Sequence, residues 1–434
     1  MGSLPHPAVA PSSPSKRNAA RALIPVLLLS LPIVALLFHC AYHSYECGHS
    51  VERFHGLEPA VPFPPIDGLA AHTFLYVASY GGSVTTLRLS RGSNAAAASW
   101  GLEPVAYTEG CAGSPSWLTL DATNSVLYCS DEGRTTGSEG SLSSFSTIED
   151  GSLVRLANVR TVFGPVNAAV GGSALSTWDV EDPSTITPVQ TRLFKMAQPG
   201  PNPSRQEVPH PHAAVVDPTG QFILVPDLGA DLVRIYAVRD GELRLTEREP
   251  LFVAPGSGPR HLAFADKGDK TFMYLVTELG NTVVGYEVSY DAEFIAFEQV
   301  WTSGVYGKGN DVPAGSAASE IIVSPDSNFL ILSSRNESSL ELSNLDRGEV
   351  TSDLLINFAI NSKTGHLDLL QEVPCGIRGP RQFSMNKAGT LVAVALQDDG
   401  RVAVMERDVE AGKLGRLVAH AEIDGEVTAL VFNE

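Results

Sequence analysis

His212 closes a His-Pro-His run, Arg260 and Arg381 each end a Gly-Pro-Arg, Glu278 and Arg335 each end an apolar stretch, and Glu320 opens another. These residue types move protons and hold anions. Histidine and glutamate are the usual acid/base groups near neutral pH. An arginine fork grips a carboxylate or phosphate through two N–H groups at once. Brought into one concave place, such a set suits an acidic substrate whose ring ester is opened or closed by proton transfer. His210 and Asp227 flank His212 and extend the candidate set to substrate contacts. Each residue also has a structural reading. Asp227 could cap the LGAD turn, His210 a loop, and Glu320 could pair with a nearby arginine. Arg260 and Arg381 could bridge repeats. His261 follows Arg260 and is expected to point the other way, because strand side chains alternate. The two histidines of the His-Pro-His run make a poor zinc site, since no third and fourth ligand stand at fitting spacing. No Gly-x-Ser-x-Gly, P-loop or dinucleotide motif occurs.

The elements that must position these residues repeat along the chain. Trp117-LTLDATNSVLYCSD, His212-AAVVDPTGQFILVPD, His261-LAFADKGDKTFMYLVTE, Glu320-IIVSPDSNFLILSSR and Gln382-FSMNKAGTLVAVALQ share one grammar. Each is a strand, a turn of Asp, Pro, Gly, Asn or Ser, and a β-branched strand. Several continue into a third strand, such as DLVRIYAV and NTVVGYEV. Four short strands in every ~40–60 residues predict the blades of a β-propeller. The expected fold is all-β, with seven blades over residues 71–434. The lone strand at 426–434 should join 72–108 and close the ring, and the other blades should start near 114, 164, 208, 256, 316 and 379. The third, GPVNAAVGGSALSTWDV, passes from Asn167 almost directly to a third strand at Ser173. It is expected to be truncated, unless the sequence itself lacks a piece there. In a blade the start of the first strand and the end of the second meet at one face of the ring. Trp117, Asn167, His212, Arg260 or His261, Glu320 and Arg381 or Gln382 would then share one mouth with Asp131, Asp227, Glu278, Arg335 and Gln397.

The net charge of −19 argues against a nucleic-acid partner but leaves room for a locally positive pocket. Residues 1–21 read as a disordered Pro/Ser-rich tail, and 43–70 as a linker. Between them, 22–42 is apolar enough for an N-terminal hydrophobic helix, either a transmembrane anchor or a signal segment. Basic residues before it put the amino terminus in the cytoplasm and the propeller in the lumen or outside; secretion is the alternative. Cys111 and Cys129 could bridge in such a compartment or remain buried thiols.

The segments PHPHAAVVDPTGQFILVPDLGADLVRIY, GPRHLAF, SEIIVSPDSNFLILSSRN and RGPRQFSMNKAGTLVAVA resemble the seven-bladed propeller lactonase family. That family includes bacterial 6-phosphogluconolactonases and fungal carboxy-cis,cis-muconate cyclases, and the resemblance covers about residues 70–434. Matched by motif to the cyclase, it implies that His212 and Glu278 handle protons while Arg260 and Arg335 hold anionic groups. Glu320 and Arg381 would be secondary pocket residues. It implies no cofactor and no metal. The expected activity is hydrolysis of a sugar lactone such as 6-phosphogluconolactone. The rivals are a cyclase-type isomerase and a non-catalytic binding propeller; a metal-dependent lactonase is a further option. The one acceptor sequon, Asn336-Glu337-Ser338, adjoins Arg335. A glycan would crowd the site, so Asn336 is expected to be unmodified.

Overall fold

In a computed structural model the described residues are 52–53 and 72–434, apart from 93–99, 135–136, 138, 167–169, 240–243, 292–293 and 345–347. The tail, the apolar segment 22–42 and Asn167 therefore lie outside the described residues, as does all but two residues of the linker. None of the described residues is helical, and no helix among them is long and apolar enough to cross a membrane.

Among the described residues, five four-stranded antiparallel sheets and one five-stranded sheet, four of whose strands are antiparallel, form propeller blades. A three-stranded sheet stands at the third position. The first blade joins the two ends of the body: Val427–Phe432 pairs with His72–Ser79, followed by Ser83–Arg91 and Trp100–Thr108. This closure by the last strand removes the open edge that a linear sheet would present. The second blade runs from Pro115–Asp121 to Leu153–Arg160, and the fourth from Val215–Val216 to Thr246–Phe252. The fifth spans Pro259–Asp266 to Phe294–Gly304, the sixth Ala317–Val323 to Leu367–Pro374, and the seventh Pro380–Met385 to Leu414–Glu422. Glu52–Arg53 adds a short parallel strand outside the sixth, opposite Gln371 and Glu372.

The truncation expected at the third position is present. Val170–Gly171, Ala174–Asp179 and Thr187–Leu193 form its sheet. The two-residue strand holds the place of a second strand's end, and no full inner strand stands before it among the described residues.

The repeated turns have a local cause. Asp217 accepts hydrogen bonds from Thr219 N and Phe222 N, so its side chain closes the link between first and second strands. Asn386 does the same for Thr390 N and Leu391 N, and Ser324 Oγ accepts from Phe329 N. Gly220, Gly389 and Ser327 then carry the positive φ that ends each turn. Apolar residues of adjacent blades fill the spaces between sheets. Val276, Leu332 and Ile356 join the fifth to the sixth blade, and Leu87, Ala395 and Val404 join the seventh to the first. The third sheet contributes only Leu175 to such a cluster, with Val225, Tyr236 and Leu245.

One irregularity recurs in the inner strands. The pairing register slips between Pro115 and Trp117, between Pro259 and His261, between Ala318 and Ile321, between Pro380 and Gln382, and between Val427 and Ala429. Each slip is a β-bulge with one residue more than its partner strand. Three of the bulge residues tie neighbouring inner segments together. Thr428 Oγ1 donates to Pro115 O at 2.8 Å, Ser116 Oγ to Pro165 O at 2.7 Å, and Ser319 Oγ to Arg381 O at 2.7 Å.

Candidate active site

The bulge at Arg260 decides what reaches the ring's mouth. In a regular strand Arg260 and His261 would face opposite sides of the sheet. With the register slipped between Pro259 and His261, both turn inward and both are buried. The expectation that His261 points away is therefore corrected: strand alternation fails where an extra residue is inserted.

Glu278 follows the second strand of the same blade and is only 5% exposed. Three guanidinium groups converge on it. Arg205 Nη2 donates to Oε1 at 2.5 Å. Arg260 Nε lies 2.9 Å from Oε2 and Arg335 Nη2 3.2 Å from it, as charge contacts without hydrogen-bond alignment. Arg260 Nε and Nη1 and Arg335 Nε have no hydrogen-bond partner among the described residues. Arg205 comes from the irregular stretch before the fourth blade and is 48% exposed.

Beside the arginines runs a second chain of contacts. His212 Nδ1 lies 3.0 Å from His261 Nε2. His261 Nδ1 lies 2.7 Å from Glu320 Oε1, which also accepts from Ile321 N at 3.0 Å. Trp117 packs edge-on against the His261 ring, with centroids 5.6 Å apart. Glu320 faces a histidine rather than an arginine, and its Oε2 has no partner among the described residues.

The charges respond to this setting. Burial lowers His212 well below 6.5, and Arg260, His261, Arg381 and Arg335 push it the same way. Its imidazole is therefore neutral at pH 7. Burial also lowers His261, against the pull of Glu320. Burial on its own would raise Glu278, but Arg335, Arg260 and Arg205 outweigh it and hold the carboxyl down at about 2. Burial and the neighbouring Arg335 bring Arg260 down to about 9, still charged at neutral pH. A neutral base and a set of fixed cations thus share one place, the pairing needed to stabilise a developing oxyanion.

His212, Arg260, Glu278, Arg335 and Glu320 come together here. Arg381 is close enough for its charge to act on His212 and Arg335; it also reaches Glu132 at 3.6 Å and lies over the Tyr80 ring. His210 and Asp227 take other partners. His210 Nε2 lies 2.9 Å from Glu207. Asp227 is fully buried and accepts from Arg234, His210 N and Ala230 N, which makes it a turn cap. Asp131 plays the same part, accepting from Ser114 N. Among the described residues no group of three His, Cys, Asp or Glu could hold a metal ion. A separate cavity of about 550 Å³, lined by Lys267, Lys270 and Lys363 together with Asp266, Asp269 and Asp326, lies at the turn ends of the blades.

The description "Lactonase, 7-bladed beta-propeller" matches residues 74–431. The chain belongs to this propeller lactonase family. A protein of Arthroderma benhamiae named "Probable 6-phosphogluconolactonase" is 33% identical over 314 residues, covering 69% of this chain and 75% of its own length. The 6-phosphogluconolactonase of Bacillus subtilis is 24% identical over 317 residues, covering 70% and 82%. In structure, the periplasmic gluconolactonase of Pseudomonas aeruginosa aligns with TM-score 0.65 at 24% identity, over 83% of this chain and 99% of the other. A Lactobacillus plantarum protein aligns with TM-score 0.67 at 22% identity, over 84% and 100%. These two likenesses are of fold.

Two residues of this lactonase propeller's mouth escape a strand-by-strand reading. His261 is hidden by the bulge. Its signal was the recurring Pro-x-x at inner-strand starts, Pro115-Ser-Trp, Pro259-Arg-His and Pro380-Arg-Gln. Arg205 lies in no strand, and only its nearness in sequence to the His-Pro-His run hinted at a role.

Proposed function

We propose that this chain hydrolyses a phosphorylated sugar lactone of the 6-phosphogluconolactone type, with His212 as base and the arginines as anion holders. The observation that carries this reading is a neutral buried histidine beside guanidinium groups with free donors. Water attacks the lactone carbonyl as His212 takes its proton. Arg260, whose Nη1 has no partner among the described residues, faces the oxyanion that forms. The ring oxygen then leaves and receives the proton back from His212. Arg335, Arg381 and the more exposed Arg205 are the candidates for the substrate phosphate. Glu278, held at about 2 by the arginines around it, stays an ionised partner of theirs. Its role in this reading is to keep three guanidinium groups close together. The relatives named as 6-phosphogluconolactonases support the substrate class.

The test compares 6-phosphogluconolactone, unphosphorylated gluconolactone and a carboxymuconate on one preparation of the full chain. The expected result is hydrolysis of the phosphorylated lactone well above its spontaneous rate, with weaker action on the sugar lacking phosphate. Turnover of the carboxymuconate alone would replace this reading with the isomerase; turnover of none would replace it with a binding propeller.

A further inference from the structure

The contacts of His261 have a direction. Glu320 Oε1 already accepts from Ile321 N and can only accept from His261. The proton of neutral His261 is therefore on Nδ1, and its Nε2 is left as an acceptor. That acceptor faces His212 Nδ1 at 3.0 Å. Neutral His212 must then carry its proton on Nδ1, which leaves the lone pair on Nε2. A carboxylate two residues removed in the contact chain thus selects which nitrogen of His212 is basic. Trp117 edge-on and the backbone contact at Ile321 hold the chain in place.

The same chain answers a difficulty in the proposed reaction. His212 is ringed by Arg260, Arg335 and Arg381, so an imidazolium there would be repelled. We propose that His261 and Glu320 are a positioning dyad that fixes the tautomer of His212 and draws its acquired charge away from the arginines. This rests on the reading of His212 as the base. When His212 Nε2 takes a proton from water, its Nδ1 proton passes to His261 Nε2. The positive charge then lies on His261, against Glu320. When the ring oxygen leaves, His212 Nε2 returns its proton to that oxygen and the Nδ1 proton moves back. No atom or electron is left over, and no co-reactant is required. The charged and titratable groups facing this chain are Arg260, Arg335, Arg381 and Glu320, together with the two histidines themselves.

The experiment uses the full chain, wild type and the variants Glu320→Gln and His261→Phe, with melting curves to show that each folds. Glutamine can still accept from His261 but lacks the charge. Glu320→Gln should lower kcat about 10-fold, leave KM within about 2-fold, and move the acidic limb of the kcat/KM profile to lower pH, because the anion that favours protonation is gone. His261→Phe should lower kcat about 100-fold. An unchanged kcat and an unmoved limb in Glu320→Gln would overturn the dyad. So would a loss of rate that follows a lowered melting temperature with no movement of the limb. If the wild type hydrolyses none of the lactones, the lactonase reading fails and nitrogen-15 imidazole spectra decide the dyad by itself. A neutral His212 protonated on Nδ1, with that signal lost in His261→Phe, supports it. Protonation on Nε2 overturns it.

Discussion

Arg260 and Arg335 can stay buried side by side because a carboxylate stands between them. Removing one partner of such a cluster leaves charge without compensation, which costs far more than the pairing contributes net. Arg260→Ala should lower kcat/KM by about 10²–10³-fold if its free Nη1 serves the oxyanion, the range seen for loss of one such donor; initial rates on the phosphorylated lactone check it. The Glu278 carboxyl lies at about 2, against 4.5 for the unperturbed side chain. A depressed folded-state value means its contribution to stability is complete above the unfolded pKa and is lost as pH falls through the folded one. Urea midpoints should therefore drop between about pH 4.5 and pH 2. Glu278→Gln should start lower at neutral pH and show a shallower fall; an equally steep fall in that variant would assign the acid sensitivity elsewhere. The lowered His212 gives a separate acid limb, in activity rather than stability. The base is active when unprotonated, so kcat/KM should stay flat from pH 8 down through 6.5 and decline only below that. Asn336 is exposed, while Asp353 accepts from Asn336 N, Glu337 N and Ser338 N. The expectation that Asn336 is unmodified is checked by an unchanged mass after N-glycosidase treatment.

At the scale of strands and turns, the sequence carried the repeat, the slots and the joined first blade, because each depends on local chemistry. An Asp, Asn or Ser at the turn after an inner strand and alternating β-branched residues are readable one segment at a time. The bulges were not readable, since they depend on which residue of one strand faces which residue of the next. Strict alternation from Arg260 therefore turns His261 away, whereas the slipped register brings both to the mouth. A pairing that sequence left open is also settled at this scale. Cys111, just before the second blade's first strand, is bonded to Cys129 in its second strand, 18 residues on. A bridge closing a loop of that size stabilises by about 3 kcal/mol in the chain-entropy account. Reduction under mild denaturant should lower the melting temperature by several degrees. No shift, together with free-thiol labelling of Cys111 and Cys129 in the native protein, would count against the bond.

Across the whole ring, stability should be uneven, and the weak arc is identifiable. A propeller is held by apolar residues between neighbouring sheets, and each blade is only as firm as its two flanks. The fifth blade shares large buried clusters with both neighbours. The three-stranded sheet contributes one fully buried apolar residue, Leu175, toward the fourth blade, and no cluster among the described residues joins it to the second. Leu193 on its outer strand is 70% exposed, and Trp178 Nε1 and Thr177 Oγ1 are buried without a hydrogen-bond partner among the described residues. Regions with little buried apolar contact open at lower free-energy cost than the rest. Amide hydrogen exchange should therefore be fastest among the strands at Ala174–Asp179 and Thr187–Leu193, and slowest at Thr271–Thr277 and Leu391–Leu396. This bears on function through Arg205, which lies between the weak sheet and the fourth blade and reaches Glu278. A bound phosphate gripped by Arg205 would tie that arc to the firm side of the ring. Adding inorganic phosphate should then slow exchange in 174–206 more than in the seventh blade. Arg205→Ala should abolish that difference while leaving exchange in the unliganded strands unchanged. Uniform protection around the ring would mean that the anion acts without Arg205 and that the truncated sheet has no part in holding substrate.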